Sequence, residues 1–168
     1  MECDKCKLKD FCLKDKRNFF KEMWQTHKGC LPEEYREDIN SNLLRKAKNR
    51  RNGDKSKYPL QCYYAVLLFQ LIEDKCLDHY TGDKWEKIDW TKAKEGGKHP
   101  EAPAIDHINQ GCKDPLFKKS EDGELEPNLA FCRNDVNDAK NDLTESDFIA
   151  LCRAVVAFAD KKQSPSGL

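Results

Sequence analysis

Asn128-Leu129-Ala130-Phe131-Cys132-Arg133-Asn134-Asp135-Val136-Asn137-Asp138-Ala139-Lys140 is the stretch that decides how this chain folds. Its apolar first half predicts a short strand over residues 129–132. Its polar second half predicts a short helix over 134–141. Upstream, Ala104-Ile105-Asp106-His107-Ile108 predicts a second short strand. The order is strand, strand, short helix. Residues 113–127, between the strands, are polar and read as an exposed insertion.

Further out, the chain is mostly helical. Residues 16–27 predict a helix with Phe20, Met23, Trp24 and His27 on one face, ended at Gly29. Pro32 opens a second helix that runs to about residue 52, where Gly53 stops it. Tyr35, Ile39 and Leu43 form its inner side, and its acidic start and basic end complement the helix dipole. Residues 60–72 hold too long an apolar run for an ordinary strand and predict a buried helix. Residues 76–90 read as extended and turned, with Thr81-Gly82 at the turn. The clearest helix spans 143–161. Thr144 caps it, Asp147 takes its third position, and Leu143 can staple against Phe148. Its stripe of Phe148, Leu151, Cys152, Val155 and Ala159 is expected to be buried. The fold class is therefore α+β in three segments: a Cys-rich stretch over 1–31, a helical region with a basic face over 32–74, and a core with its C-terminal helix over 75–168.

The 168 residues suit one domain or a domain with a small appendage. Charged residues make up 36 % of the chain and mean hydropathy is −0.89, so no run suits a membrane span. The first residues lack the basic start and apolar core of a signal peptide, which predicts a cytoplasmic protein. Net charge is zero, but the charge is unevenly placed. Arg45, Lys46, Lys48, Arg50, Arg51, Lys55 and Lys57 form a basic stretch interrupted only by Asp54. A phosphate-tracking face and a solvated charged helix both account for it.

Nine cysteines, an odd number without a secretion signal, point to metal ligands and buried thiols rather than disulfides. Cys3, Cys6 and Cys12 supply three thiolates, and Cys30 is the best fourth, with His27 second. Four such ligands can hold a structural zinc at about 2.3 Å, and an iron–sulfur cluster is the alternative metal group. The third reading is thiols without a metal.

The polar residues of the strand–strand–helix unit suggest chemistry. Phosphodiester hydrolysis needs a water, a base for its proton and positive charge near the leaving oxygen. Asp106 can give an anionic oxygen to Mg²⁺ or Mn²⁺, and Asn137 a neutral one. His107, with a free pKa of about 6.5, can act as the base. Asn128 can hold either His107 or a loop backbone. Lys140 shares a helix face with Asn137 and can meet a phosphate. The bland alternative makes Asp106 and His107 loop residues and Asn134, Asn137 and Lys140 a wet helix face. Neighbours on a strand point to opposite faces, so Asp106 and His107 can share one site only near a strand end.

From the basic helix to the last helix the chain resembles HNH endonucleases of the phage and mobile-element type. The residues that carry the resemblance are the basic run at 44–51, the apolar segment at 60–72, Cys76-Leu-Asp-His-Tyr-Thr-Gly82, Ile105-Asp-His-Ile108, Asn128-Leu129, Cys132 and Asn137-x-x-Lys140. The resemblance implies a ββα-metal core and metal-dependent cutting of DNA, most readily double-stranded. It implies that Asp106 and Asn137 bind Mg²⁺ or Mn²⁺, that His107 is the base and that Asn128 supports it. Lys140, Arg45, Lys48, Arg50 and Arg51 are the expected DNA contacts. Two departures stand out. The segment between His107 and Asn128 is long and charged. The paired zinc knuckles of many members read here as Cys76-x-x-His79 and Cys132-x-x-Asp135. Besides a DNA endonuclease, the sequence is compatible with an inactive DNA-binding or inhibitory module on the same scaffold, and with a nuclease acting on RNA.

Overall fold

The computed structural model describes residues 8, 18–54, 58–83, 99–100, 102–110 and 114–163. Within them the fold is mixed α+β and mostly helical. The first helix, α1, spans Phe19–His27 and continues into a 3-10 turn over Lys28–Cys30. It buries Phe19, Met23 and Trp24. Another 3-10 turn, Glu33–Tyr35, leads from Pro32 into α2, Arg36–Gly53. There Ile39, Leu43 and Ala47 are fully buried at helical spacing. The apolar run forms α3, Leu60–Glu73, in which every residue from Tyr63 to Leu68 is buried. A helix apolar all round must sit in the middle of a core, and α3 packs against both α1 and α2.

The deciding stretch folds as read. Strand β1, Pro103–His107, pairs antiparallel with β4, Leu129–Arg133, so that Asp106 faces Ala130 and His107 faces Leu129. Four of the five β4 residues are buried, because α3 packs on that strand. Helix α4, Asn134–Lys140, follows at once and packs against both strands. One hydrophobic cluster runs from Leu8 and Phe19 through α3 to Leu129 and Phe131.

Two expectations are overturned. The segment over 113–127 is not simply an exposed insertion. It contains a second hairpin, β2, Phe117–Lys119, paired with β3, Leu125–Pro127. Leu116 and Phe117 are buried in the main core, and burying two such side chains contributes roughly 1.5–3 kcal/mol each. The last helix, α5, Glu145–Gln163, is capped as expected: Thr144 Oγ1 accepts the Asp147 N–H at 3.2 Å and donates to Asp147 Oδ2 at 2.7 Å. Its stripe is not buried. Only the start is tied down, where Glu145 N–H donates to the Ile108 carbonyl and Phe148 packs on the Tyr80 ring. Leu151, Cys152 and Val155 lie exposed, because the helix runs off the body after its first turns.

Cys3, Cys6 and Cys12 lie outside the described residues, as do Lys55, Lys57, residues 84–90 and the Gly96-Gly97 loop. Cys30 is exposed at the end of the first 3-10 turn. Among the described residues no helix is long and apolar enough to cross a membrane.

Candidate active site

The end of β1 displays its last two side chains to opposite sides. His107 turns toward the last turn of α2. Its Nε2 lies 3.0 Å from Arg50 Nη2 and 3.5 Å from Asp54 Oδ1, and Arg50 Nη2 also reaches Nδ1. A guanidinium only donates and a carboxylate only accepts, so the ring lies between a fixed donor, Arg50, and a fixed acceptor, Asp54. Asp54 is fixed in turn: Tyr63 Oη donates to Oδ2 at 2.8 Å, and Arg50 Nε lies 3.2 Å from Oδ1. Burial pushes the His107 imidazole below its ordinary value, Arg50 pushes it further, and the carboxylates of Asp54 and Asp106 only partly offset both. The ring is therefore neutral near pH 7.

Asp106 turns the other way and is 3 % exposed. Its Oδ2 accepts from Tyr80 Oη at 2.5 Å and lies 2.8 Å from Lys140 Nζ. Lys140 also donates to the His107 carbonyl at 2.9 Å and lies 5.7 Å from the centre of the Tyr80 ring. Burial pushes the Tyr80 phenol far up, and the hydrogen bond to Asp106 pushes it further, so it stays a donor. Lys140 is wholly buried. That excludes the phosphate contact expected of it, because an ammonium bound to a buried carboxylate and a carbonyl cannot reach a strand of DNA. Position on α4 placed Lys140 on the Asn137 face correctly, but that face looks into the protein at its C-terminal end.

Asn128 performs the second of its two expected jobs. Its Oδ1 accepts the Asn109 N–H at 2.8 Å and its Nδ2 donates to the Asn109 carbonyl at 3.1 Å. The backbone closes the same knot, with Ile108 N–H on the Asn128 carbonyl at 2.9 Å. Asn128 thus sets the path of the chain as it leaves His107, and it does not touch the imidazole. Asn137 lies one turn before Lys140 on α4, and its side chain makes no hydrogen bond to any described residue.

The basic helix divides. Lys46 is largely buried and donates to the Pro103 carbonyl, and burial, with Arg45 adding to it, pushes its amine down to about 8. Arg50 braces His107, and Arg51 Nε donates to the Tyr58 carbonyl at 3.0 Å. Arg45 and Lys48 are exposed. If this face tracks phosphates, Arg45→Gln with Lys48→Gln should weaken DNA binding at every sequence and reduce the slope of log affinity against log salt by about two. An unchanged slope in a salt titration would assign both side chains to bulk solvent. Arg51→Gln should instead register in the melting temperature.

The reading of a zinc held by Cys76, His79, Cys132 and Asp135 finds no support in the geometry. His79 Nδ1 lies 3.0 Å from Asp74 Oδ2, its Nε2 3.4 Å from Glu145 Oε1, and Asp135 binds Arg133. Burial alone would lower the His79 imidazole, but Asp74 and Glu145 raise it on balance. Cys76 and Cys132 are buried thiols, and burial pushes Cys76 up to about 12. Among the described residues no three His, Cys, Asp or Glu side chains converge as a metal site. The acid-plus-amide pair expected for Mg²⁺ or Mn²⁺ is a different kind of set. Among the described residues Asp106 Oδ1 has only a 3.4 Å contact from Gln110 Nε2, and the Asn137 amide has no hydrogen bond. Carboxylate and amide oxygens are the ligand types that suit a hard divalent cation. Against them stands Lys140, which already neutralises Oδ2.

Sequence reading missed Asp54, Tyr63 and Tyr80. Asp54 had a signal, since it alone interrupts the basic run. Tyr80 lies inside the Tyr-Thr-Gly motif. Tyr63 is indistinguishable from its apolar neighbours on α3. Comparison with protein-family models, curated proteins and solved structures finds no match for this chain, so the likeness to HNH nucleases rests on the order of its motifs.

Proposed function

We propose that this chain is an HNH-type endonuclease that hydrolyses DNA phosphodiester bonds with a water activated by His107 and one divalent metal. The observation that carries the proposal is the His107 ring, held neutral between Arg50 and Asp54, one residue from the buried Asp106 on a strand–strand–helix unit. Arg50 leaves the ring for the phosphate as substrate binds, and His107 takes the proton of the attacking water on the lone pair thus freed. Asp54, beside the ring, orients it and steadies the imidazolium that forms. Arg50 presents a guanidinium where the phosphate oxygens gather charge. Asn128 holds the backbone behind His107, and Lys140 with Tyr80 holds the Asp106 carboxylate in place. Asp106 Oδ1 and Asn137 would hold Mg²⁺ or Mn²⁺, which supplies positive charge at the leaving oxygen. A cytoplasmic setting and double-stranded DNA belong to the same proposal.

Purified protein should nick or linearise plasmid with Mn²⁺ or Mg²⁺ and do neither with EDTA. Asn137→Ala should weaken calorimetric metal binding at least about tenfold, as loss of a supporting ligand group commonly does, with little change in melting temperature. Metal affinity equal to the parent's would move the ligand to another residue of α4.

One observation favours a second reading. Asp106 is already paired with a cation of the protein's own, as suits an inactive DNA-binding module. Plasmid retardation without cleavage under any divalent metal would decide for it. Cleavage of RNA with DNA left intact would decide for an RNA nuclease.

A further inference from the structure

We propose that this chain forms a two-fold dimer in which α5 of one copy packs antiparallel against α5 of another. The helix carries a heptad stripe, with Phe148, Leu151, Val155 and Phe158 at successive three- and four-residue steps. Phe148 is used within the chain, against Tyr80. The rest is open: Leu151 is 49 %, Val155 60 % and Phe158 60 % exposed. Val156, 58 % exposed, widens the strip. Single exposed apolar side chains are ordinary, but a continuous strip along one helix marks an interaction surface. Lys162 Nζ lies 4.6 Å over the Phe158 ring and closes the stripe with a charge, so the apolar length is finite and matched to a helix of its own size.

The charges choose the occupant. Asp147 and Lys161 flank the stripe on the same edge, each seven residues from Ala154, the midpoint of the helix. A two-fold axis at Ala154 sets Asp147 of each copy beside Lys161 of the other, twice over, as an isologous contact demands. In a parallel pair the neighbour of Asp147 would be Cys152, and the charge would go unmatched. On the opposite edge Cys152 and Ala159 are small, which lets the two backbones approach. The second copy therefore matches this face in length, apolar pattern and charge order.

The test is sedimentation velocity on the full chain from about 1 to 100 µM, the range in which micromolar association is read. The expected result is a concentration-dependent rise from monomer to dimer. Val155→Glu should hold the chain monomeric throughout with unchanged circular dichroism. Lys161→Asp should weaken association about tenfold, since two rim pairs become repulsive, and adding Asp147→Lys should restore it. A monomer at every concentration overturns the proposal. A dimer indifferent to Val155→Glu overturns it by moving the interface elsewhere. A dimer lost in Val155→Glu but not restored by the charge exchange overturns the antiparallel arrangement.

Discussion

His107→Ala should lower the rate of plasmid cleavage by about 10²–10⁴-fold, the usual cost of losing a general base. The side chain is 13 % exposed, and its hydrogen bonds and ion pairs among the described residues are with Arg50 and Asp54 at the end of α2. Its removal therefore leaves the β1–β4 ladder, the Asn128 knot and the Lys140–Asp106 pair in place. The melting temperature should shift far less than the rate, and metal binding should survive. Asp54→Asn should reproduce part of the loss, because the amide no longer supplies a negative charge to steady the imidazolium, and Asp54→Glu should recover some of it. A His107→Ala protein that cuts as fast as the parent under matched metal and pH removes the imidazole from the mechanism.

The second large effect is on stability. Lys140→Met should destabilise the fold by about 3–5 kcal/mol, because it leaves a buried carboxylate without its counter-charge. The side chains are of similar length, so packing is disturbed little and the lost charge dominates. The double variant Lys140→Met with Asp106→Leu should recover much of the loss, since replacing both partners by apolar groups is often neutral. Thermal unfolding of the three proteins reads both effects. A Lys140→Met protein as stable as the parent, with weaker DNA binding, would return the ammonium to the phosphate-contacting role and contradict its burial.

The parts of the fold that were legible in the sequence are those whose signal is local. The unbroken apolar run of α3 says that it is covered on all sides. The Thr144–Asp147 spacing states a helix start. The turn from apolar to polar at Asn134 separates β4 from α4. What was not legible depends on partners distant in sequence. A stripe on α5 shows that one face is apolar, but not whether the same chain supplies the cover. The hairpin of β2 and β3 has strands of three residues each, too short for alternation to be read, although Leu116-Phe117 stood out as an apolar pair in a polar segment. The site divides likewise. Asp106, His107 and Asn128 come to the β1–β4 end because strand pairing brings them there. Whether Lys140 faces water or a carboxylate, and whether Arg50 points outward, depends on how α4 and α2 rotate against the sheet. No spacing rule reports that rotation.

The double hydrogen bond between Asn128 and Asn109 joins residues 19 apart at the mouth of the segment that carries β2 and β3. With both ends stitched together at their base, the excursion is insulated from the strand end that presents His107. Closing a longer or shorter loop across a fixed base changes free energy only slowly with length, by about 0.6 kcal/mol per doubling. Beyond the buried Leu116 and Phe117, the tip around Ser120–Glu124 is therefore a docking point for foreign sequence. Reporter peptides or recognition elements inserted there should be carried without disturbing the histidine one knot away.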